Sequence, residues 1–148
     1  MRRLLIISCS DRKRSSKGKL PAWERYDGVS FRLLKKLQRE NAFPKNLDVL
    51  ILSAKHGLLS PETLIDDYDL KMTAARAHEL APSVSEQLDC LLRREKYADV
   101  FVNLGKAYSS ALALSEELPK LNLTCAQGGI GSRMKQMKAW IFQSEVRR

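Results

Sequence analysis

Short apolar runs that do not alternate with polar residues limit most strongly what this chain can fold into. Arg3 to Ser8 (RLLIIS) and Asp48 to Ala54 (DVLILSA) place apolar side chains on both faces of an extended segment, as strands buried on both sides do. Ala98 to Leu104 (ADVFVNL) repeats the pattern, and Leu121 to Ala126 (LNLTCA) is a weaker fourth case. Helical periods lie between them. Phe31, Leu34 and Leu37 recur at spacing three over Ser30 to Glu40, with Arg32, Lys35, Lys36 and Arg39 opposite. Leu80, Val84, Leu88, Leu91 and Leu92 form one stripe over Ala74 to Arg94, where Pro82 is expected to start a second segment or kink the first. Ala107 to Leu118 reads as a third helix, and Ser132 to Val146 as a fourth with Met134, Met137, Trp140 and Ile141 facing inward. Strands that alternate with helices need crossover connections. The expectation is therefore one three-layer α/β domain over 1–148, Rossmann-like with a mostly parallel sheet, ending in a frayed basic tail at 142–148.

With 44% hydrophobic and 29% charged residues in 148, the chain can bury one core, which excludes disorder. The longest apolar runs fall far short of the roughly 20 residues that span a bilayer. Met1-Arg2-Arg3 and the apolar residues after it imitate a signal peptide, but the polar, basic stretch Ser8 to Lys19 follows directly. A cytoplasmic protein with no membrane partner is expected. Cys9, Cys90 and Cys125 are odd in number and far apart, without a CxxC, so neither a disulfide framework nor a zinc site is supported. No metal or other cofactor is expected.

The net charge of +9 is unevenly spread. Residues 1–39 hold twelve Lys and Arg against three Asp and Glu, residues 40–131 nine against thirteen, and residues 132–148 five against one. Basic ends around an acidic-leaning middle suit an anionic partner if the ends meet in space; a solvated basic loop and tail would give the same count.

In an open parallel sheet, ligands bind beyond the carboxyl ends of the strands. The four proposed strands lead into Ser8-Cys9-Ser10-Asp11-Arg12-Lys13, Ser53-Ala54-Lys55-His56-Gly57, Gly105-Lys106-Ala107-Tyr108 and Gln127-Gly128-Gly129-Ile130-Gly131-Ser132-Arg133, respectively. All four segments are small, polar or basic, so they should converge where backbone amides can face an anion. Gly129, Gly131, Ser132 and Arg133 precede or open the last helix, where free N–H groups favour phosphate and Ser132 can cap; a tight structural turn is the alternative. His56 is a candidate acid or base, or a residue that fixes the next loop. Asp66-Asp67-Tyr68-Asp69 concentrates carboxylates, and an extended backbone puts Asp67 and Asp69 on one side and Tyr68 on the other. Such carboxylates suit proton transfer or a cationic transition state, or they form a solvated acidic loop that pairs with the basic start. The basic loop Ser10 to Lys19, followed by Trp23 and Tyr26, can track phosphates and stack bases, or the two aromatics can be one face of a short helix. Cys9 is a nucleophile if nearby cations activate it, and otherwise a packed thiol.

These residues carry a resemblance. Ser8-Cys9-Ser10 with Lys13, Pro21-Ala22 with Tyr26, Leu52-Ser53-Ala54-Lys55-His56-Gly57-Leu58-Leu59 with Pro61, Tyr68-Asp69-Leu70 and Gly129-Ile130-Gly131 resemble a family of small bacterial and phage domains of unknown function over nearly the whole chain. Ser53, Gly57, Leu58, Leu59, Pro61, Tyr68, Leu70 and Met72 are more distantly similar to the peroxide-stress protein YaaA family, whose members are associated with DNA binding and oxidative stress. The opening Ser-Cys-Ser-x-x-Lys also resembles an auxiliary domain of archaeosine synthase. There the lysine matching Lys13 is implicated in delivering an amine to a deazaguanine in tRNA; Arg14-Ser15-Ser16-Lys17 departs from the Ser/Tyr-rich continuation of that domain.

The theme these resemblances imply is a nucleobase in a nucleotide or nucleic acid. The expected activity is N-glycosidic cleavage or base modification, with Lys13, Lys55, His56, Asp67 and Asp69 as catalytic candidates. Ser8, Cys9, Ser10, Tyr26, Ser53, Tyr68, Tyr108, Gly129, Gly131, Ser132 and Arg133 are the binding candidates. A non-catalytic nucleic-acid-binding protein, tracking phosphates with residues 12–39 and 133–148, is the alternative, and an adaptor in a phage-defence or modification operon is a third class.

Overall fold

The computed structural model describes residues 2–10, 13–15 and 17–146. In chain order these form β1 (Arg2–Ser8), β2 (Leu20–Pro21), α1 (Ala22–Arg25), α2 (Val29–Arg39), β3 (Leu47–Ser53), β4 (Gly57–Leu59), β5 (Leu64–Ile65), α3 (Ala74–Arg94), β6 (Tyr97–Asn103), two 3₁₀ segments (Lys106–Leu112 and Leu118–Lys120), β7 (Asn122–Cys125) and α4 (Ile130–Val146). Five strands make one sheet in the order β4-β3-β1-β6-β7. β1 runs parallel to both β3 and β6, and β6 parallel to β7; only β4 is antiparallel.

The non-alternating runs explain the layering. In β1, Leu5 and Ile7 point to one face, where Phe31, Leu34 and Leu37 of α2 pack with Met137, Trp140 and Ile141 of α4. Leu4 and Ile6 point to the other, against Val84, Leu88 and Leu92 of α3 and Ala111 and Leu112 of the first 3₁₀ segment. Leu4 through Ile7 are fully buried. Burying a side chain of this size stabilises a fold by about 1.5–3 kcal/mol, so the central strand anchors both layers. A second, two-stranded sheet pairs β2 with β5 in antiparallel fashion and lays α1 beside the main sheet.

Three sequence expectations change. α3 runs unbroken through Pro82, which sits on its exposed side, where water can take the carbonyl that the missing N–H leaves. The helix expected over Ala107 to Leu118 is instead two 3₁₀ segments. The buried Asp89 of α3 accepts from Ser115 Oγ at 2.5 Å and from the N–H groups of Glu116 and Glu117 at 3.0 and 3.2 Å, which takes those amides out of helical register. α4 keeps helical backbone to Val146, past the start expected for a frayed tail, while residues 147–148 lie outside the described residues.

The amino end of the sheet is closed by paired charges. The Arg3 guanidinium, 4% exposed, donates to the carbonyls of Trp140 and Ile141, lies 3.8 Å from the Trp140 ring centre and sits 3.6 Å from Asp99. Arg2 pairs with Asp48, which also accepts from the Tyr97 hydroxyl at 2.8 Å. No helix among the described residues is long and apolar enough to cross a membrane. All three cysteines are free thiols, Cys9 buried and Cys90 and Cys125 exposed.

Candidate functional site

The chain leaves β1 for α2 on one face of the sheet and leaves β6 for the 3₁₀ segment on the other. Connections that part in this way open a crevice between the carboxyl ends of the two strands. A cavity of about 320 Å³ lies there. Ser8, Cys9, Ser10 and Asn103 line it from the strand ends, Gly28, Val29, Ser30 and Phe31 from the start of α2, and Ile130, Arg133 and Met134 from the start of α4. Two helix N-termini thus meet at one cleft, each carrying unpaired N–H groups and the positive end of a helix dipole. No side chain caps α2, whose N-cap is Gly28. A Cβ at Gly28 would lie 2.7 Å from Ser10 Cβ, so the close approach of α2 to the end of β1 requires glycine there. Asn103 is 5% exposed, and its amide donates to Met137 Sδ at 3.4 Å, a weak acceptor.

Beside this cleft the end of β3 supports a hydroxyl cluster. Ser53 Oγ accepts from the N–H groups of Lys55 and His56 at 3.2 and 3.1 Å and from the Tyr26 hydroxyl at 3.1 Å, and it bonds the Tyr68 hydroxyl at 2.9 Å. The two tyrosine hydroxyls are 2.5 Å apart. Ser53 therefore braces the Ala54-Lys55-His56 turn, which Gly57, at φ +73°, returns into β4. Its oxygen is fully engaged and is no free nucleophile. Around the Tyr68 ring stand Lys13 Nζ at 4.4 Å, Lys55 Nζ at 5.6 Å and the His56 ring at 5.4 Å, edge to face. Cys9 Sγ contacts the Tyr108 hydroxyl at 3.1 Å, joining the loop after β6 to the end of β1. Cys9 belongs to the cleft lining and its N–H donates to the carbonyl of Leu52, the neighbour of Ser53, so cleft and cluster are contiguous.

Burial pushes Tyr26 up to about 12, against the Ser53 and Tyr68 hydrogen bonds that favour its ionised form. Tyr68 is raised further, first by burial and then by neighbouring Cys9. Both phenols stay protonated at neutral pH and can only donate or relay protons as neutral groups. Burial, reinforced by the charge of Lys55, lowers His56 below its ordinary value, with Asp66 opposing. At pH 7 its imidazole is neutral, a proton acceptor with Lys13 and Lys55 as the nearby cations.

The strand-end residues expected to converge divide into three sets. Ser8, Cys9, Ser10 and Arg133 line the cleft, while Lys13, Tyr26, Ser53, Lys55, His56 and Tyr68 form the cluster, with Tyr108 attached through Cys9. Gly129, Gly131 and Ser132 are exposed and do not line the cleft. α4 starts at Ile130, so Ser132 is its third residue and not its cap; its Oγ accepts from Gln136, which also clasps the main chain of Gln127. Asp66, Asp67 and Asp69 are exposed, whereas Tyr68 turns inward, as the alternation predicts. Arg12 lies outside the described residues. Much of the basic start serves the fold: Arg25 is fully buried and donates to the carbonyls of Arg14 and Gly18 at 2.6 Å, and Arg32 pairs with Asp27. Trp23 lies within a short helix, α1, and Tyr26 caps its carboxyl end.

Sequence reasoning missed Gly28, Asn103 and Arg76. A lone glycine just before a helical period and an asparagine closing a buried run were the available signals for the first two. Arg76, in the first turn of α3, donates to the carbonyls of Ala54 and Lys55 at 2.7 and 3.2 Å and so fixes the turn that carries His56; no local signal marks it. A family model described as a family of unknown function, DUF6884, matches residues 4–139. No curated protein matches the chain.

Proposed function

As the chain belongs to this family of unknown function, DUF6884, whose description assigns no chemistry, we propose from the site itself that the protein acts on a nucleotide or on a nucleotide unit of a nucleic acid. The observation that carries the reading is the cleft between the starts of α2 and α4, with Arg133 on its wall, opening beside the Tyr68 cluster. Phosphate sits against the two helix N-termini and Arg133. The sugar and base then extend toward Tyr68, Lys13, Lys55 and His56. Val29 and Ile130, both exposed apolar residues at the mouth, cover the sugar.

N-glycosidic hydrolysis is the reaction these groups suit. The bond from sugar to base breaks, water joins the sugar carbon, and the departing base takes up a proton. The ammonium of Lys13 or Lys55 supplies that proton, and neutral His56 accepts one from water; Asp67 and Asp69 face away from the cluster and take no part. The likeness of the Ser53–Pro61 and Tyr68–Met72 segments to the peroxide-stress YaaA family, with its DNA association, favours the nucleic-acid form of this substrate.

The test pairs binding with turnover. Titration calorimetry with nucleoside 5′-monophosphates and short single-stranded oligonucleotides should give binding that Arg133→Ala weakens about tenfold, through one lost charge-assisted contact. Lys55→Ala and His56→Ala should leave that affinity near wild type and abolish base release measured by chromatography. A nucleic-acid binder without activity would instead show a steep salt slope that Lys and Arg changes in 12–39 and 133–148 flatten, with Lys55 and His56 irrelevant. Intact binding and turnover in all three variants would overturn the proposal.

A further inference from the structure

β3 is only partly covered at its outer edge. β4 pairs with Ile51–Ser53, while Leu47 to Leu50 pair with Arg3 to Ile6 of β1 and, among the described residues, with no strand on the other side. Arg3 N–H donates to Asn46 and Cys9 N–H to Leu52, so the even-numbered residues of β3 turn their main-chain groups toward β1. The odd-numbered ones turn theirs outward. The N–H and C=O of Val49 and the C=O of Leu47 therefore turn away from β1 at a strand edge, with no backbone partner among the described residues, the arrangement that an added strand completes.

A cavity of about 510 Å³ lies along this edge. Trp23 and Phe43, in edge-to-face contact at 6.2 Å, wall it on one face of the sheet, and Leu91 and Tyr97 on the other. Alternate side chains of an extended segment would drop into these two walls. The charge of the lining points to the occupant. In a chain of net charge +9, the charged residues lining this cavity are Glu24, Asp48 and Glu62, with no Lys or Arg. Asp48 is engaged by Arg2 and Tyr97, but Glu24 and Glu62 are exposed and make no ion pair among the described residues. Edge-to-edge pairing of two copies would bring two acidic rims together, which like charges oppose.

We propose that the open edge of β3 at Leu47 to Leu50 accepts an extended peptide segment of a partner protein, alternating apolar with Lys or Arg residues, as an added strand. This surface is separate from the nucleotide cleft and stands or falls independently of it.

Selection of displayed random peptides of about eight residues, long enough at about 3.3 Å per residue to run past Leu47 to Leu50, tests it on the full chain. Enrichment of apolar residues alternating with Lys or Arg is expected. A synthetic copy of the best peptide should shift the backbone amides of Leu47 and Val49 in ¹⁵N-resolved NMR spectra and quench Trp23 fluorescence. N-methylation of the peptide amide facing Val49 should weaken binding about tenfold, the effect of losing one main-chain hydrogen bond in a dry groove. Glu24→Lys with Glu62→Lys, both at exposed positions, should weaken it by a similar factor without changing urea stability. No enriched pattern, binding unaffected by N-methylation, shifts away from Leu47 and Val49, or a concentration-dependent dimer by sedimentation that covers these amides would each overturn it.

Discussion

The two ends of the central sheet treat charge in opposite ways. At the amino end both arginines of β1 have acceptors built by the fold: Arg2 and Tyr97 share Asp48, and Arg3 is held by Asp99, two carbonyls of α4 and the Trp140 ring. At the carboxyl end Lys55 lies near an aromatic ring and Arg133 on a cleft wall, and neither has a carboxylate partner among the described residues. A paired cation serves stability, and one held without a partner is available to a ligand. The cationic rim is thus only a fraction of the basic count, because Arg2, Arg3, Arg25 and Arg32 are committed to the fold.

Substitutions should separate the two ends. Arg3→Ala should cost the most, about 3 kcal/mol in urea unfolding, because it leaves the Trp140 and Ile141 carbonyls without their buried donor and removes the packing on the Trp140 ring; nucleotide affinity of the folded protein should not change. Gly28→Ala comes next, costing about 2 kcal/mol through the clash with Ser10, and it should also weaken nucleotide binding because α2 must withdraw from the cleft. Arg133→Ala should leave stability within about 0.5 kcal/mol while affinity falls. An Arg3 variant that lost affinity but kept stability, or an Arg133 variant that did the reverse, would erase the distinction.

Acidification gives the smallest and most discriminating effect. His56 has a folded pKa below its ordinary 6.5, so the unfolded chain binds its proton first and stability falls as pH drops through that value toward the folded one. Asp48, held below its ordinary 3.8 first by the Arg2 hydrogen bond, contributes stability above that value, lost only as pH falls further toward its folded pKa. Urea midpoints should decline in two stages, and His56→Gln should flatten the first alone.

The sheet could be read from the sequence because strands buried on both faces leave an unbroken apolar signature, and β1, β3 and β6 each lie within one residue of the expected spans. The antiparallel β4 could not, since Gly57–Leu59 is too short to show a period. The 3₁₀ segments escaped because Asp89, far away in sequence, decides where their amides point. The strand-end rule picked out Cys9, Ser53, Lys55 and Arg133, which the fold brings to the candidate cleft and the cluster beside it. It misjudged Ser132, because the helix begins three residues earlier than a cap at Ser132 requires. Gly28 and Asn103 matter only through the approach of two helices to one crevice, which no local pattern encodes.

The central claim is that a phosphate occupies the cleft between the starts of α2 and α4. Titrating the ¹⁵N-labelled protein with a nucleoside 5′-monophosphate, and following every backbone amide, tests it most directly. The account predicts saturable shifts at Val29, Ser30 and Phe31 and at Ile130, weakened together by Arg133→Ala, with the amides of Arg3 and Asp99 unmoved. Shifts spread over the exposed lysines, with the amides at the starts of both helices unchanged, would contradict it.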